Sequence, residues 1–249
     1  MPCCSFSRSN SSSAFLLRRS YEQIKISVGY HNLPVIIIGA GGGFTYSTSG
    51  PTHHSQEDLA LMSLIPGMVV LAPGSPNELK QILPQVIEYG KPTYIRIGKF
   101  GEANFDAEEK PLLAKIRKIK KGNEFFFITT GDTISLVLKL FKKLETYNFF
   151  PSLLHIHTVK PMDFEGLNKN LKKAKSIIIV EESTSIGGIS SSIYEWSINN
   201  KLKINIYRMG PQDKIILGNP TRDEIRKTYK YNEEHLLSFC KKLFKLSFN

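Results

Sequence analysis

The chain has 249 residues, 41% of them hydrophobic and 22% charged, with 33 Lys and Arg against 22 Asp and Glu and a formal net charge of +11. This ordinary apolar content excludes a disordered chain, and 18 Gly with 13 Pro exclude a collagen-like or low-complexity one. Only 3 Cys exclude a disulfide scaffold and a paired CxxC zinc site, which favours a reducing, cytoplasmic setting.

The positive charge raises the question of nucleic-acid or membrane binding. The densest basic run, residues 115–121, lies in a predicted linker, and no nucleic-acid recognition motif accompanies it. No stretch approaches the roughly 18 apolar residues that a membrane span needs. We therefore expect neither nucleic acid nor membrane among the partners.

The first half of the chain predicts an α/β unit. Residues 1–13 are rich in Ser and contain no acid, so we expect a disordered or non-matching start. Apolar runs at 34–39, 68–72 and 94–97 predict strands of a parallel sheet. Between the last two, Ser75 supplies an N-cap for a helix that ends near Gly90.

The second half repeats this alternation more cleanly. Strands are predicted at 124–129, 153–159, 177–182 and 204–208, and helices at 133–147, 163–174, 188–199, 221–228 and 233–246. Crossover helices between strands require mostly parallel pairing. The prediction is an α/β fold of two three-layer α/β/α units with mostly parallel sheets: a first unit at 14–104, a basic linker at 105–122 and a second unit at 123–249.

Ligands of parallel α/β sheets bind beyond the carboxyl ends of the strands, which directs attention to the loop after the first strand. Gly41 and Gly42 permit a close backbone approach there, although the loop fits neither the GxGxxG nor the phosphate-loop pattern. His53 and His54 suit proton handling or hydrogen bonding to a sugar hydroxyl, and no zinc signature includes them. The alternative is a polar helix start without chemistry.

Arg96 stands among isoleucines in an apolar predicted strand. A buried guanidinium is costly unless an anion pairs with it, and a phosphate is a natural partner. The alternative is an arginine on an edge strand that reaches solvent. For His155 and His157 we expect a structural role.

Several motifs, taken together and in order, resemble the transketolase family. Residues 15–24 (FLLRRSYEQI), the strand and loop at 33–43, GPTHH at 50–54 and IPGM at 65–68 are similar to its pyrimidine-binding domain. The sequence VKPMD at 159–163 and the strand ending in Glu181 and Glu182, followed by two glycines, resemble its C-terminal domain. The first unit is thus identified as an incomplete pyrimidine-binding fold and the second as a transketolase C-terminal fold.

The resemblance implies transfer of a two-carbon ketol unit between sugar phosphates with thiamine diphosphate and Mg²⁺. It assigns Phe15, Gly41 and Gly42 to the cofactor and His53 to catalysis. It assigns binding of the sugar phosphate substrate to four side chains with hydrogen-bond donors, which are Arg96, His54, Arg18 and Arg19.

Departures from the family pattern predict an incomplete enzyme. No acid precedes Glu22, so the catalytic glutamate that the resemblance implies upstream of Phe15 is missing. The diphosphate-binding domain is also missing, and no metal ligand is assigned to this chain. We expect a subunit that is inactive without a partner carrying that domain and the Mg²⁺, and that also forms homodimers through both units.

Three alternatives remain open from the sequence. The β subunits of 2-oxo acid dehydrogenases share this order of domains, although Arg96 and the Pro-Thr-His-His sequence favour the sugar-phosphate enzymes. Deoxyxylulose-phosphate synthases are nearer, although Ser49, four residues before His53, departs from the pattern and weakens this alternative. From a different class, the chain could be a non-catalytic interaction subunit or the remnant of an enzyme.

Overall fold

A computed structural model describes residues 13–107 and 109–246. The expected disordered start at 1–13 therefore lies outside the described residues, apart from Ser13. The helices and strands of the first half are α1 (Ser13–Gln23), continued by a π-helical segment at Ile24–Tyr30, β1 (Ile36–Ala40), α2 (Asp58–Ser63), β2 (Val69–Leu71), α3 (Pro76–Tyr89) and β3 (Thr93–Ile97).

The second half contains eleven further elements and begins inside the predicted linker. They are β4 (Arg117–Lys120), β5 (Phe125–Thr129), α4 (Thr133–Glu145), β6 (Ser152–His155), β7 (Thr158–Lys160), α5 (Phe164–Leu171), β8 (Ser176–Val180), α6 (Ile189–Asn199), β9 (Asn205–Met209), α7 (Arg222–Thr228) and α8 (Glu233–Phe244), the last two being helices that close the chain.

The start of α3 follows its sequence signals in part. Ser75 caps the helix by accepting a hydrogen bond from the backbone N–H of Glu78, and Gly90 ends it in the left-handed conformation at φ 63°. The carboxylate of Glu78 accepts the backbone N–H of Gly74, the residue before Ser75, at 2.7 Å. It reaches the second half of the chain, where it contacts Arg117 and His155.

The strands form two sheets. The first has the order β1-β3-β2-β7, in which β1, β3 and β2 are parallel and β7 is antiparallel to β2. The second has the order β4-β6-β5-β8-β9, in which only the edge strand β4 is antiparallel. The predicted α/β class with mostly parallel sheets is confirmed.

The run at 153–159, predicted as one strand, forms two strands in different sheets. β6 lies inside the second sheet, and β7 joins the edge of the first sheet. The chain therefore ties the two units together at this point. Their apolar packing is also continuous, because one buried cluster combines Leu59 and Met62 of α2 with Ile128, Leu154 and Trp196 of the second half.

β4 shows why a basic run can still be part of a fold. Arg117 and Ile119 are buried while Lys118 and Lys120 are exposed, which is the alternation of a half-buried strand. The boundaries of the two units stay predictions. No helix within the described part of the chain is long and apolar enough to cross a membrane.

Candidate functional site

The loop at residues 41–55, called the site loop below, leaves the carboxyl end of β1 and lies beside the end of β3. The amides of Gly41 and Gly42 both donate to the carbonyl of Ile97, and Gly43 exchanges backbone hydrogen bonds with Ser55. Gly41 has φ +73°, and a Cβ there would lie 1.8 Å from the ring of Tyr46. The turn therefore requires glycine, because any other residue would collide with its own loop.

Gly42 has a similar steric role. A Cβ at this position would lie 2.4 Å from the side-chain Cγ of Arg96. The two glycines predicted for the cofactor are thus closely packed against protein side chains, and their assignment to the cofactor stays a prediction.

His53 is half-buried at the end of the site loop, among aromatic rings. The ring of Phe15, from α1, meets it edge to face with centroids 4.8 Å apart, and the ring of Tyr46 lies 6.2 Å away. The hydroxyl of Thr52 pairs with Nδ1 of His53 at 3.1 Å. No hydrogen bond within the described residues engages Nε2, so this nitrogen is available to a ligand.

His54 points in the other direction, into the protein. It is buried, its Nε2 donates to the carbonyl of Ser47 at 3.2 Å, and the ring of Phe44 lies edge to face at 5.1 Å. Burial lowers the pKa of His54 below its usual 6.5, which favours the neutral ring. Its role in substrate binding stays a prediction, and its contacts are those of a loop anchor.

Arg18 and Arg19 project from the same helix but differ in their surroundings. Arg18 donates to the carboxylate of Glu57 and to the backbone carbonyls of Thr52 and His54, so it ties α1 to the turn that carries His53. Arg19 is exposed and lies over the ring of Phe15, 5.6 Å from its centroid. Of the pair, Arg19 is the one free to meet a ligand.

Arg96 already has its anion inside the protein. Its side chain is buried, and its Nε donates to Asp58 Oδ2 at 2.9 Å while Nη2 pairs with Oδ1 of the same carboxylate. The remaining contacts are the backbone carbonyls of Ser55 and Glu182. The expectation that Arg96 pairs with an anion is met by Asp58, and binding of a substrate phosphate by Arg96 stays a prediction.

Lys99, which the sequence reasoning missed, is an exposed cation next to the site loop. It follows β3, its Nζ lies 4.5 Å from the ring centroid of Tyr46, and none of the ion pairs among the described residues involves it. Its sequence position could have identified it as a candidate ligand-binding residue, because it lies three residues after Arg96 and beyond the carboxyl end of a parallel strand.

No group of three or more His, Cys, Asp or Glu side chains within the described ranges could hold a metal ion. Glu57 and Asp58, the acids that follow the two histidines in the sequence, form ion pairs with Arg18 and Arg96. What the site offers is a half-buried aromatic ring, a histidine with one free nitrogen, and exposed cations. A flat aromatic ring such as Phe15 fits the stacking of a planar heterocycle.

Comparison with known families decides the membership. The model of the transketolase pyrimidine-binding domain matches residues 9–100, and that of the transketolase C-terminal domain matches residues 114–236. The chain belongs to the transketolase family. Both domains occur in the order that the sequence motifs predict.

Its relatives in that family include separate subunits as well as larger enzymes. The chain is 30% identical over 205 residues to the 6-deoxy-6-sulfo-D-fructose transketolase subunit of Clostridium sp. (strain MSTE9), covering 82% of this chain and 63% of the relative. It is 29% identical over 234 residues to the 1-deoxy-D-xylulose-5-phosphate synthase of Syntrophus aciditrophicus, covering 92% of this chain and 36% of that enzyme. The transketolase-family chain thus spans less than two thirds of either relative.

Solved structures of transketolases share the fold. A split-gene transketolase, described as an inactive β4 tetramer, superposes with a TM-score of 0.79 at 23% identity over 94% of this chain and 74% of its own. The transketolase of Campylobacter jejuni gives 0.75 at 13% identity over 93% of this chain and 35% of its own. At these identities the likeness establishes the two-unit transketolase architecture.

Proposed function

We propose that this chain is the subunit of a split transketolase that contributes the pyrimidine side of a thiamine diphosphate site. The observation that carries the proposal is the pairing of Phe15 and His53 at the carboxyl end of the first sheet, inside the match to the pyrimidine-binding model. Names of relatives support it, since several are subunits of transketolases.

The residues present fit the pyrimidine half of the cofactor and leave the diphosphate half to another chain. Phe15 would stack on the aminopyrimidine ring, with His53 beside it. Bound thiamine diphosphate supplies a carbanion that accepts the two-carbon unit. On this proposal Mg²⁺ and the diphosphate would be held by the partner subunit.

His53 would act on the substrate through Nε2. Thr52 engages Nδ1 and so orients the ring, which leaves Nε2 to donate to or accept from a sugar hydroxyl near the reacting carbon. Lys99 and Arg19 are the exposed cations that a sugar phosphate would meet beyond His53. Arg96 would support this surface from inside by holding β3 to α2.

A second candidate function has support from the relatives. Two 1-deoxy-D-xylulose-5-phosphate synthases are 28–29% identical to this chain over 203 residues or more. Formation of 1-deoxy-D-xylulose 5-phosphate by the assembled enzyme would identify this activity. Homodimerisation and a cytoplasmic location stay predictions.

The proposal is tested by calorimetry of thiamine diphosphate with Mg²⁺. We expect heat of binding when this chain is combined with a subunit carrying a diphosphate-binding domain, and none with this chain alone. Phe15→Ala should weaken binding by the combined subunits about tenfold, as expected for a lost stacking ring. Phe100→Ala, at an exposed phenylalanine that does not contact His53, serves as the control. Tight binding by this chain alone would overturn the proposal.

A further inference from the structure

The site loop is held by the second unit as well as by the first. Phe44, in the middle of the loop, is fully buried and belongs to the apolar cluster of the second unit, where it packs with Ile225 and Tyr229. Its ring stacks on that of Tyr229 with centroids 5.9 Å apart and an interplanar angle of 26°. A residue of the first unit is thus inserted into the core of the second.

Glu182 fixes the backbone of the same residue. Its carboxylate oxygen Oε1 accepts the amide N–H of Phe44 at 2.8 Å, and its own carbonyl accepts Nη1 of Arg96 at 2.9 Å. The carboxylate is buried between Arg222 and Arg226, whose nearest nitrogens lie at 2.8 and 2.9 Å. Burial alone would raise its pKa, but the two arginines hold the pKa of Glu182 at about 2, so the acceptor stays ionised.

From Phe44 the contacts continue to the histidines. The ring of Phe44 meets His54 edge to face at 5.1 Å, and His54 in turn holds the carbonyl of Ser47. Gly50 of the same loop lies close to Asn219 of the second unit, because a Cβ on Gly50 would be 3.0 Å from the side-chain oxygen of Asn219. The turn that carries His53 is therefore enclosed by the second unit on one side.

We propose that Glu182 and Tyr229 are positioning residues: they set the conformation of the site loop and, through it, the placement of His53. The importance of that placement for a substrate rests on the proposed function, whereas the loop geometry does not. On this account the C-terminal unit supplies part of the site's shape without touching the substrate.

The neighbouring residue Glu181 provides a matched control. It is also fully buried, and its carboxylate accepts from Arg208 at 2.6 Å, from Ser190 at 2.6 Å and from Ser183 at 2.9 Å. All these partners belong to the second unit. Glu181→Gln therefore removes the same buried charge from the adjacent position without a contact to the site loop.

Amide hydrogen exchange of the full chain measures the first consequence. Glu182→Gln removes the charge that pairs with Arg222 and Arg226 and weakens the oxygen that accepts the Phe44 amide. It should raise the exchange rate at residues 41–55 about tenfold or more. In Glu181→Gln, exchange at 41–55 should equal that of the unaltered chain. Exchange in β5 reports global destabilisation in both variants, so a rise confined to the site loop is required.

The pKa of His54, measured by NMR titration, gives a second test. In Glu182→Gln, opening of the loop and loss of the Glu182 charge alone would shift this pKa in opposite directions. The charge of Glu182 raises the pKa of His54, while burial, the larger effect, lowers it. If the loop stayed closed in Glu182→Gln, the pKa would fall further. We expect it to rise toward 6.5, because the loop opens and the ring is hydrated.

Tyr229→Leu is the second variant, since it removes the stacking partner without changing any charge. It should raise the His54 pKa and the exchange at 41–55, as Glu182→Gln does. Unchanged loop exchange together with an unchanged or lowered His54 pKa in both variants would overturn the proposal. Neither readout needs cofactor or activity, so absence of transketolase activity in the combined subunits would refute the proposed function and leave this inference standing.

Discussion

Arg96 and Asp58 form a buried ion pair that joins β3 to α2 in the first unit. The apolar strand around Arg96 predicted an anionic partner, and the chemistry of that prediction holds. The identity of the anion could not be predicted, because 38 residues separate the two side chains and only the packing of α2 against β3 brings them together. A buried arginine is thus ambiguous in sequence between an internal carboxylate and a ligand phosphate.

Replacing Arg96 should therefore act mainly on stability. Arg96→Met leaves the carboxylate of Asp58 buried without a counter-charge, which should lower the free energy of unfolding by about 3–5 kcal/mol. The double variant Arg96→Met/Asp58→Leu should recover part of this loss. Urea unfolding followed by circular dichroism measures both.

Lys99→Ala is the contrasting variant for the same region. Lys99 is exposed, so the urea midpoint should not change, whereas the assembled enzyme should show a raised KM for phosphorylated sugars. If Arg96→Met had normal stability and a raised KM for phosphorylated sugars, Arg96 rather than Lys99 would be the residue that binds the phosphate.

Among the elements, α3 and β6 meet at a buried polar cluster that joins the two units. Glu78 Oε1 accepts Arg117 Nη1 at 2.9 Å, and Oε2 contacts His155 Nε2 at 3.1 Å. His157 lies nearby, fully buried, and its Nε2 has no partner among the described atoms. The capping signal at Ser75 predicted the start of α3, but it did not indicate that Glu78 reaches the second unit.

The cluster predicts how acid unfolds the chain. Burial lowers the pKa of His157 to about 4, so the unfolded chain binds the extra proton first and stability falls as pH drops from 6.5 to 4. Burial opposes ionisation of Glu78, but His155 and His157 lower its pKa to about 2, so its contribution is complete above pH 4.5 and is lost between pH 4.5 and 2. Each shift corresponds to about 3 kcal/mol.

Urea midpoints measured against pH test this cluster. Glu78→Gln should lower stability at pH 7 by about 3 kcal/mol and remove the loss between pH 4.5 and 2, while Glu88→Gln, on the exposed part of the same helix, should do neither. Identical pH profiles for Glu78→Gln and the unaltered chain would show that the cluster does not join the units.

β4 is an element that the sequence analysis did not predict. Its charges suggested a solvated linker, yet its alternation of buried and exposed positions is that of a strand. The long apolar strands and amphipathic helices could be predicted because burial on both faces, or on one stripe, leaves a periodic pattern. The division of residues 153–159 between two sheets leaves no periodic pattern in the sequence, so it could not be predicted.

At the scale of the whole molecule, the ordered motifs predicted both family domains, and the structure adds how they cooperate. The two units share one apolar cluster, strand β7 joins the sheet of the first, and Glu182 of the second reaches the site loop. The family resemblance assigned Phe15 to the cofactor and His53 to catalysis, but it did not predict the contact between their rings. The roles of Lys99, Glu182 and Tyr229 could not, because they arise from contacts between distant segments.

We propose that this chain forms part of a thiamine diphosphate-dependent transketolase and needs a partner subunit. Two-carbon transfer from xylulose 5-phosphate to ribose 5-phosphate, with thiamine diphosphate and Mg²⁺, tests it most directly. We predict no transfer above background by the purified chain, and transfer after addition of a subunit with the diphosphate-binding domain. Clear turnover by this chain alone would contradict the account.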